Sequence, residues 1–166
     1  MAVTATYRLT GVVSSSSADY FGNSSTNGME HLTFNKNITS SGTVPNTNML
    51  GFRVTAAKFY VPCQEVATSK YSGVIRFGSE NIGRSNTRQG QGPAENGVAR
   101  NLTWTWSGTV YPNINNIIAA TSFGFRDCSS SSTGRKFYCK SSYSNAYCEI
   151  TYAYYYRCGD PSNVVA

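Results

Sequence analysis

Apolar and polar positions alternate with period two along most of the chain, and no long window keeps the i, i+3, i+4 spacing of an amphipathic helix. The pattern predicts an all-β fold. Over residues 3–13, Val3, Ala5, Tyr7, Leu9 and Val13 are apolar while Thr4, Thr6, Arg8 and Thr10 are polar, the mark of a strand with one face on a core and one in water. A second strand follows from Leu32, Phe34 and Ile38 alternating with Thr33, Asn35, Asn37 and Thr39. Residues 51–62 are mostly apolar on both faces and read as a third, central strand, and residues 71–78 read as a fourth. Residues 79–97, rich in Gly, Asn, Gln and Arg, show no core-forming pattern and are expected to be a long loop. In a fifth strand Val98, Leu102, Trp104 and Trp106 share a face opposite Ala99, Asn101, Thr103, Thr105 and Ser107, so both tryptophans are expected in the core. Residues 117–126, 135–140 and 147–157 bring the strands to eight, the last carrying Cys148, Ile150, Tyr152, Tyr154 and Tyr156 on one side. The serine runs at 14–17 and 129–132 are turns whose hydroxyls can bond the local backbone.

Eight antiparallel strands in 166 residues suit one domain, residues 1–166, with one core: an all-β, eight-stranded jelly-roll sandwich. Coats, lectins and cupins share that architecture, so side-chain chemistry has to separate them. The single histidine, His31, excludes a multi-histidine metal centre and has no nucleophile beside it in sequence. No G-x-S-x-G, phosphate loop, H-E-x-x-H or Rossmann glycine pattern occurs, and the eight acidic residues are scattered singly. Neither an enzyme, nor a required metal, nor a cofactor is expected. No apolar run approaches the roughly 20 residues that cross a bilayer, so membrane insertion is not expected, and a β-pore toxin ranks low.

The five cysteines, Cys63, Cys128, Cys139, Cys148 and Cys158, are odd in number and form no C-x-x-C pair, which leans toward reduced thiols. If residues 147–157 form one straight strand, Cys148 and Cys158 stand about 33 Å apart at ~3.3 Å per residue and cannot bond. Cys139 and Cys148 flank a turn-like stretch and are the pair expected to bridge if any does.

Lys and Arg number 14 against eight Asp and Glu, a net charge of +6 that favours an anionic partner. Arg8, Arg84, Arg88 and Arg100, together with Arg135, Lys136 and Lys140 around the seventh strand, are the candidates for nonspecific, salt-sensitive phosphate contacts. Twelve tyrosines exceed what one core of this size needs. Tyr152, Tyr154, Tyr155 and Tyr156 occupy both faces of the last strand and are candidates for contact with another subunit, the alternative being a tyrosine-rich core.

The segment Gly51-Phe-Arg-Val-Thr-Ala-Ala-Lys-Phe-Tyr-Val-Pro-Cys63, followed by Ser69-Lys-Tyr-Ser-Gly-Val-Ile-Arg-Phe77, resembles coat proteins of small icosahedral RNA viruses and their satellites. There a long strand ends in a Val-Pro-like step, a polar loop follows, and a glycine opens the next strand. The resemblance implies a capsid protein of the virion, made in the host cytoplasm, with copies of itself and RNA as partners. Few charges on the subunit's sides suit burial against copies. The family commonly carries a basic arm before the first strand, whereas residues 1–6 here hold no charged side chain and Arg8 is the only basic residue before Lys36. Such an arm is therefore expected to be removed or absent, leaving the inner wall alone to hold RNA.

The competing reading is a secreted carbohydrate-binding sandwich, a lectin or adhesin. Trp104, Trp106 and Tyr111 could stack on sugar rings, with Asn113, Asn115 and Asn116 as hydrogen-bonding partners, and sequons begin at Asn23, Asn37 and Asn101.

Overall fold

The computed structural model describes residues 2–11, 19–21, 30–65, 72–85, 87–89, 99–129, 137–139 and 145–156. They form strands β1 (Val3–Gly11), β2 (Asp19–Phe21), β3 (Glu30–Phe34), β4 (Thr39–Gly42), β5 (Met49–Glu65), β6 (Ser72–Phe77), β7 (Glu80–Ser85), β8 (Thr87–Gln89), β9 (Ala99–Val110), β10 (Phe123–Ser129), β11 (Phe137–Cys139) and β12 (Ala146–Tyr156). One short helix, α1 (Ile114–Ile118), interrupts them. The fold is an all-β sandwich of two antiparallel sheets. In the large sheet β12, β1 and β4 extend from one side of β5 and β9 and β8 from the other, while β11 and β2 continue along the C-terminal end of β5. The small sheet runs β3-β10-β6-β7.

Among the eight longer strands the pairing is nested: β1 with β12, β3 with β10, β5 with β9, and β6 with β7. The first strand thus meets the last, the next meets the last but one, and the chain folds back on itself about the β6–β7 hairpin. Because these pairs keep a two-residue side-chain period except at local register shifts, one side of each sheet is committed to the space between them. A single row crosses the large sheet as Leu9, Cys148, Phe59 and Trp104, register partners on four neighbouring strands and all fully buried. Opposite lie Phe34, Phe123 and Phe125 of the small sheet, with ring centroids 6.1, 6.2 and 5.4 Å from that of Phe59. Trp104 lies 4.9 Å from Phe125. At the restart after Pro62, Gly73 gives Phe125 its room, since a Cβ there would lie 2.8 Å from the ring.

The described residues hold twelve strands where the alternation predicts eight, and the differences have local causes. The expected second strand is two: Asn37 takes φ 50°, a left-handed turn that asparagine tolerates, and the chain passes from β3 in the small sheet to β4 in the large one. The expected loop at 79–97 contains β7 and β8. The register of β7 slips between Ile75 and Arg76, so its buried residues Ile82 and Ser85 stand three apart and no alternation shows. The expected sixth strand begins only at Phe123; Ile117 and Ile118 belong to α1, whose Asn113 cap accepts a hydrogen bond from Asn115 N at 2.9 Å. Trp106 shares the face of Trp104 but is only half-buried, lying over Gly83 of β7.

Cys139 and Cys148, the pair expected to bridge if any did, are not bonded to each other. Cys148 is a free thiol whose side chain points between the sheets, flanked by Leu9 and Phe59, and burial raises its pKa far above the ordinary thiol value. The side chains of Cys63, Cys128, Cys139 and His31, and all of Cys158, lie outside the described residues.

Sidedness of β5 is measurable. Phe59→Ala should cost about 3–5 kcal/mol in chemical denaturation, whereas Lys58→Ala, one residue away on the solvent face, should stay within about 0.5 kcal/mol.

A basic, aromatic face on the large sheet

The side of the large sheet turned away from the core gathers residues from four strands. In register across it lie Thr105 of β9, Lys58 of β5, Glu149 of β12 and Arg8 of β1. Arg8 donates from Nε to Glu149 Oε2 at 3.0 Å, with Nη2 2.9 Å from the same oxygen. Both side chains are only partly buried, so the pair is worth at most about 1 kcal/mol and acts mainly to aim the guanidinium. That guanidinium lies 3.8 Å from the centroid of Tyr147, which stacks on Tyr60 at 5.0 Å and 19°. Farther along the same face Arg53 sits 5.4 Å from the centroid of Tyr155, and its Nη1 donates to Gly51 O at 3.0 Å. Tyr155 and its register partner Leu50 are 42% and 43% exposed.

A groove of about 540 Å³ runs along this face. Lys58 and Glu149 line it, with Thr105 and Trp106 of β9 and, from the small-sheet corner, Arg84. The corner is tied down by Ser85 Oγ, which donates to Thr105 O at 2.5 Å. Four cations, Arg8, Arg53, Lys58 and Arg84, therefore share the face and groove with one described carboxylate, that of Glu149, already paired to Arg8. Cations held against aromatic rings on a flat, polar sheet can contact phosphates and stack on bases without selecting a sequence.

Of the basic residues singled out in the sequence, Arg8 and Arg84 reach this face. Arg88 lies in β8 opposite Trp104 and Arg100 in β9 opposite Cys63; their side chains are outside the described residues, as are Arg135, Lys136 and Lys140 entirely. The expectation for the tyrosines divides by parity. Tyr152 and Tyr154 point inward and are buried in the chain's own core. Tyr156 is half-buried beside Tyr154, and Tyr155 alone of the four faces out. Arg53, Lys58, Tyr60 and Tyr147 were not singled out by the sequence. Arg53, Lys58 and Tyr60 sit in the strand that reads as apolar on both faces, and a bulge between Val54 and Ala56 disrupts its parity.

The aromatic and amide cluster suggested for sugar is dispersed. Trp104 is sealed in the core, Asn113 caps α1, and Asn116 Nδ2 donates to Glu80 Oε1 at 3.2 Å, leaving Tyr111, 72% exposed, without a stacking partner from that set. Among the described residues no three His, Cys, Asp or Glu side chains gather to hold a metal, and no helix is long and apolar enough to cross a membrane. Comparison with protein-family models, with curated proteins and with solved structures gives no match.

Burial shifts two phenols upward. Tyr152, desolvated and donating to Thr43 O at 2.6 Å, is raised to about 12, and Tyr154, desolvated and donating to Tyr156 Oη at 3.2 Å, also to about 12. The unfolded chain loses these protons near pH 10 and the folded one near 12, so their contribution to stability is complete below about pH 10 and declines as pH rises toward 12. Ultraviolet titration of the phenols should show two late-ionising tyrosines, and Tyr152→Phe should flatten the fall in stability over that interval.

Proposed function

We propose that the chain is a jelly-roll coat subunit that assembles with copies of itself into a closed shell, in the virion of a small RNA virus, and holds RNA without sequence selection. Nested pairing of eight principal strands supports the jelly-roll reading: a long antiparallel hairpin rolled into two sheets gives this order, with β2, β4, β8 and β11 as short additions. Within that reading, the segment similar to coat proteins, residues 51–77, supplies the central strand β5 and its return in β6.

The observation that carries the function is the imbalance on the large sheet's outer face and adjoining groove, where Arg8, Arg53 and Lys58, with Arg84 from the small-sheet corner, meet one described carboxylate beside Tyr60, Tyr147 and Tyr155. On this reading that face is the shell's inner wall and does the work of a basic arm. The free, buried Cys148 accords with assembly in a reducing host cytoplasm.

Sedimentation velocity and electron microscopy test assembly: uniform particles are expected, and a protein that stays at 18.0 kDa at high concentration overturns the proposal. Binding of unstructured RNA should weaken linearly in log–log with salt. Arg53→Gln and Lys58→Gln should each reduce that slope by about 0.7, while an unchanged slope in both variants removes this face from RNA binding.

A further inference from the structure

The small sheet carries a second basic groove, on the opposite side of the molecule's core and independent of the coat reading. Period two on β6 and β10 sends Ile75, Phe77, Phe123 and Phe125 inward and leaves Arg76 and Arg126 on the outer side. In the antiparallel register Arg76 lies opposite Gly124 and Arg126 opposite Val74. The two arginines are therefore diagonal neighbours on one face, roughly 7–8 Å apart at the backbone. Gly124 places no side chain between Thr33 of β3 and Arg76 of β6, and the row opens into a groove of about 350 Å³ lined also by Ser79, Ser122 and Arg126.

Among the described residues no carboxylate lines this groove. Glu80, at the start of β7, has its Oε1 occupied by Asn113 N at 2.7 Å and Asn116 Nδ2 at 3.2 Å. Arg76 is fixed by Nη2, which donates to Ser79 O at 2.7 Å, yet its Nε–H is buried and has no acceptor among the described residues. A buried donor on a charged group without a partner is unfavourable, and so are two like charges set diagonally on one sheet face. One species relieves both: an anion with several acceptor oxygens.

We propose that this groove binds a tetrahedral oxyanion of the phosphate class. Arg76 and Arg126 supply charge-assisted hydrogen bonds from two sides, the hydroxyls of Thr33 and Ser122 complete the cradle, and a small turn of the Arg76 guanidinium gives its Nε–H an acceptor. Free phosphate and the phosphodiester of a nucleic acid share this chemistry.

The test is calorimetric titration of the whole chain with inorganic phosphate at fixed ionic strength, with NMR following the arginine Nε–H resonances. Saturable binding that displaces the Arg76 Nε–H signal is expected. Arg126→Gln should weaken it about tenfold or more, and so should Gly124→Val, which keeps both charges but fills the floor. The slope changes of Arg53→Gln and Lys58→Gln should persist in a chain that also carries Arg126→Gln, so loss of RNA binding there and loss of phosphate binding here are separable. Displacement of bound phosphate by a short oligonucleotide would identify a phosphodiester as an occupant, and retention of phosphate would identify the free ion. An absence of saturation, the same shift with chloride, or unaltered affinity in both groove variants overturns the proposal.

Discussion

The structure depends on keeping one aromatic layer dry between two sheets. Phe59 stands at its middle, within ring-contact distance of Trp104 on its own sheet and of Phe34, Phe123 and Phe125 on the other. These side chains belong to β3, β5, β9 and β10, elements that are distant in sequence, so none of them can bury its apolar face before the sheets meet. The nested pairing follows from that requirement. Each strand of one sheet needs an antiparallel neighbour beside it and an apolar surface across from it, and a chain folded back about the β6–β7 hairpin supplies both.

Once the inner side is fixed, the outer side is fixed as well, because a shift of one residue would exchange every inward side chain for an outward one. This is how Arg8 and Glu149, 141 residues apart in the chain, come to share an oxygen contact, and how Tyr60 and Tyr147 come to stack. The outer faces inherit their geometry from the core and then diverge in chemistry. The large sheet sets its cations on aromatic rings, whereas the small sheet sets two arginines around a glycine. Aromatic support lowers the cost of holding a guanidinium in place; a glycine floor instead leaves space beside it.

How much of this the sequence discloses depends on whether the period-two signal runs without interruption. In β12 it does: Cys148, Ile150, Tyr152 and Tyr154 are inward as their alternation requires, and the element ends within a residue of its expected bounds. In β7 a register slip spaces Ile82 and Ser85 by three, and a strand that closes the corner of the sandwich looks like loop. Helix α1 is one turn long, too short to show a period of 3.6, and its stabilising contact comes from Glu80, more than 30 residues earlier. Composition raised the expectation of an anionic partner but not of where it would sit. Arg8 was visible as the polar member of an alternating strand, while Arg53 and Lys58 were hidden in a strand whose two faces both read as apolar. The tyrosine surplus was ambiguous for a simpler reason: adjacent residues of a strand point opposite ways, so the five consecutive aromatic or small positions 152–156 could not be assigned to surface or core as a block.

The arrangement of charge also bears on how a subunit of this kind would retain RNA. Four cations on a flat face, one of them paired to a carboxylate, give few phosphate contacts, and each contact is weakened by salt. On the proposed coat reading a single copy would bind RNA weakly. In a closed shell the same face recurs at fixed spacing, and after one subunit engages, the next meets the strand at a high effective concentration, so affinity grows without any new type of contact. On that reading, retention would then require assembly, and the polymer would in turn stabilise the shell by linkage, since only the assembled state would present all the faces at once. A flexible basic arm reaches the same end by supplying many cations from one chain, at the cost of ordering it. A rigid face needs no such ordering, because Tyr147, Tyr155 and the strands beneath them have already fixed Arg8 and Arg53 in place.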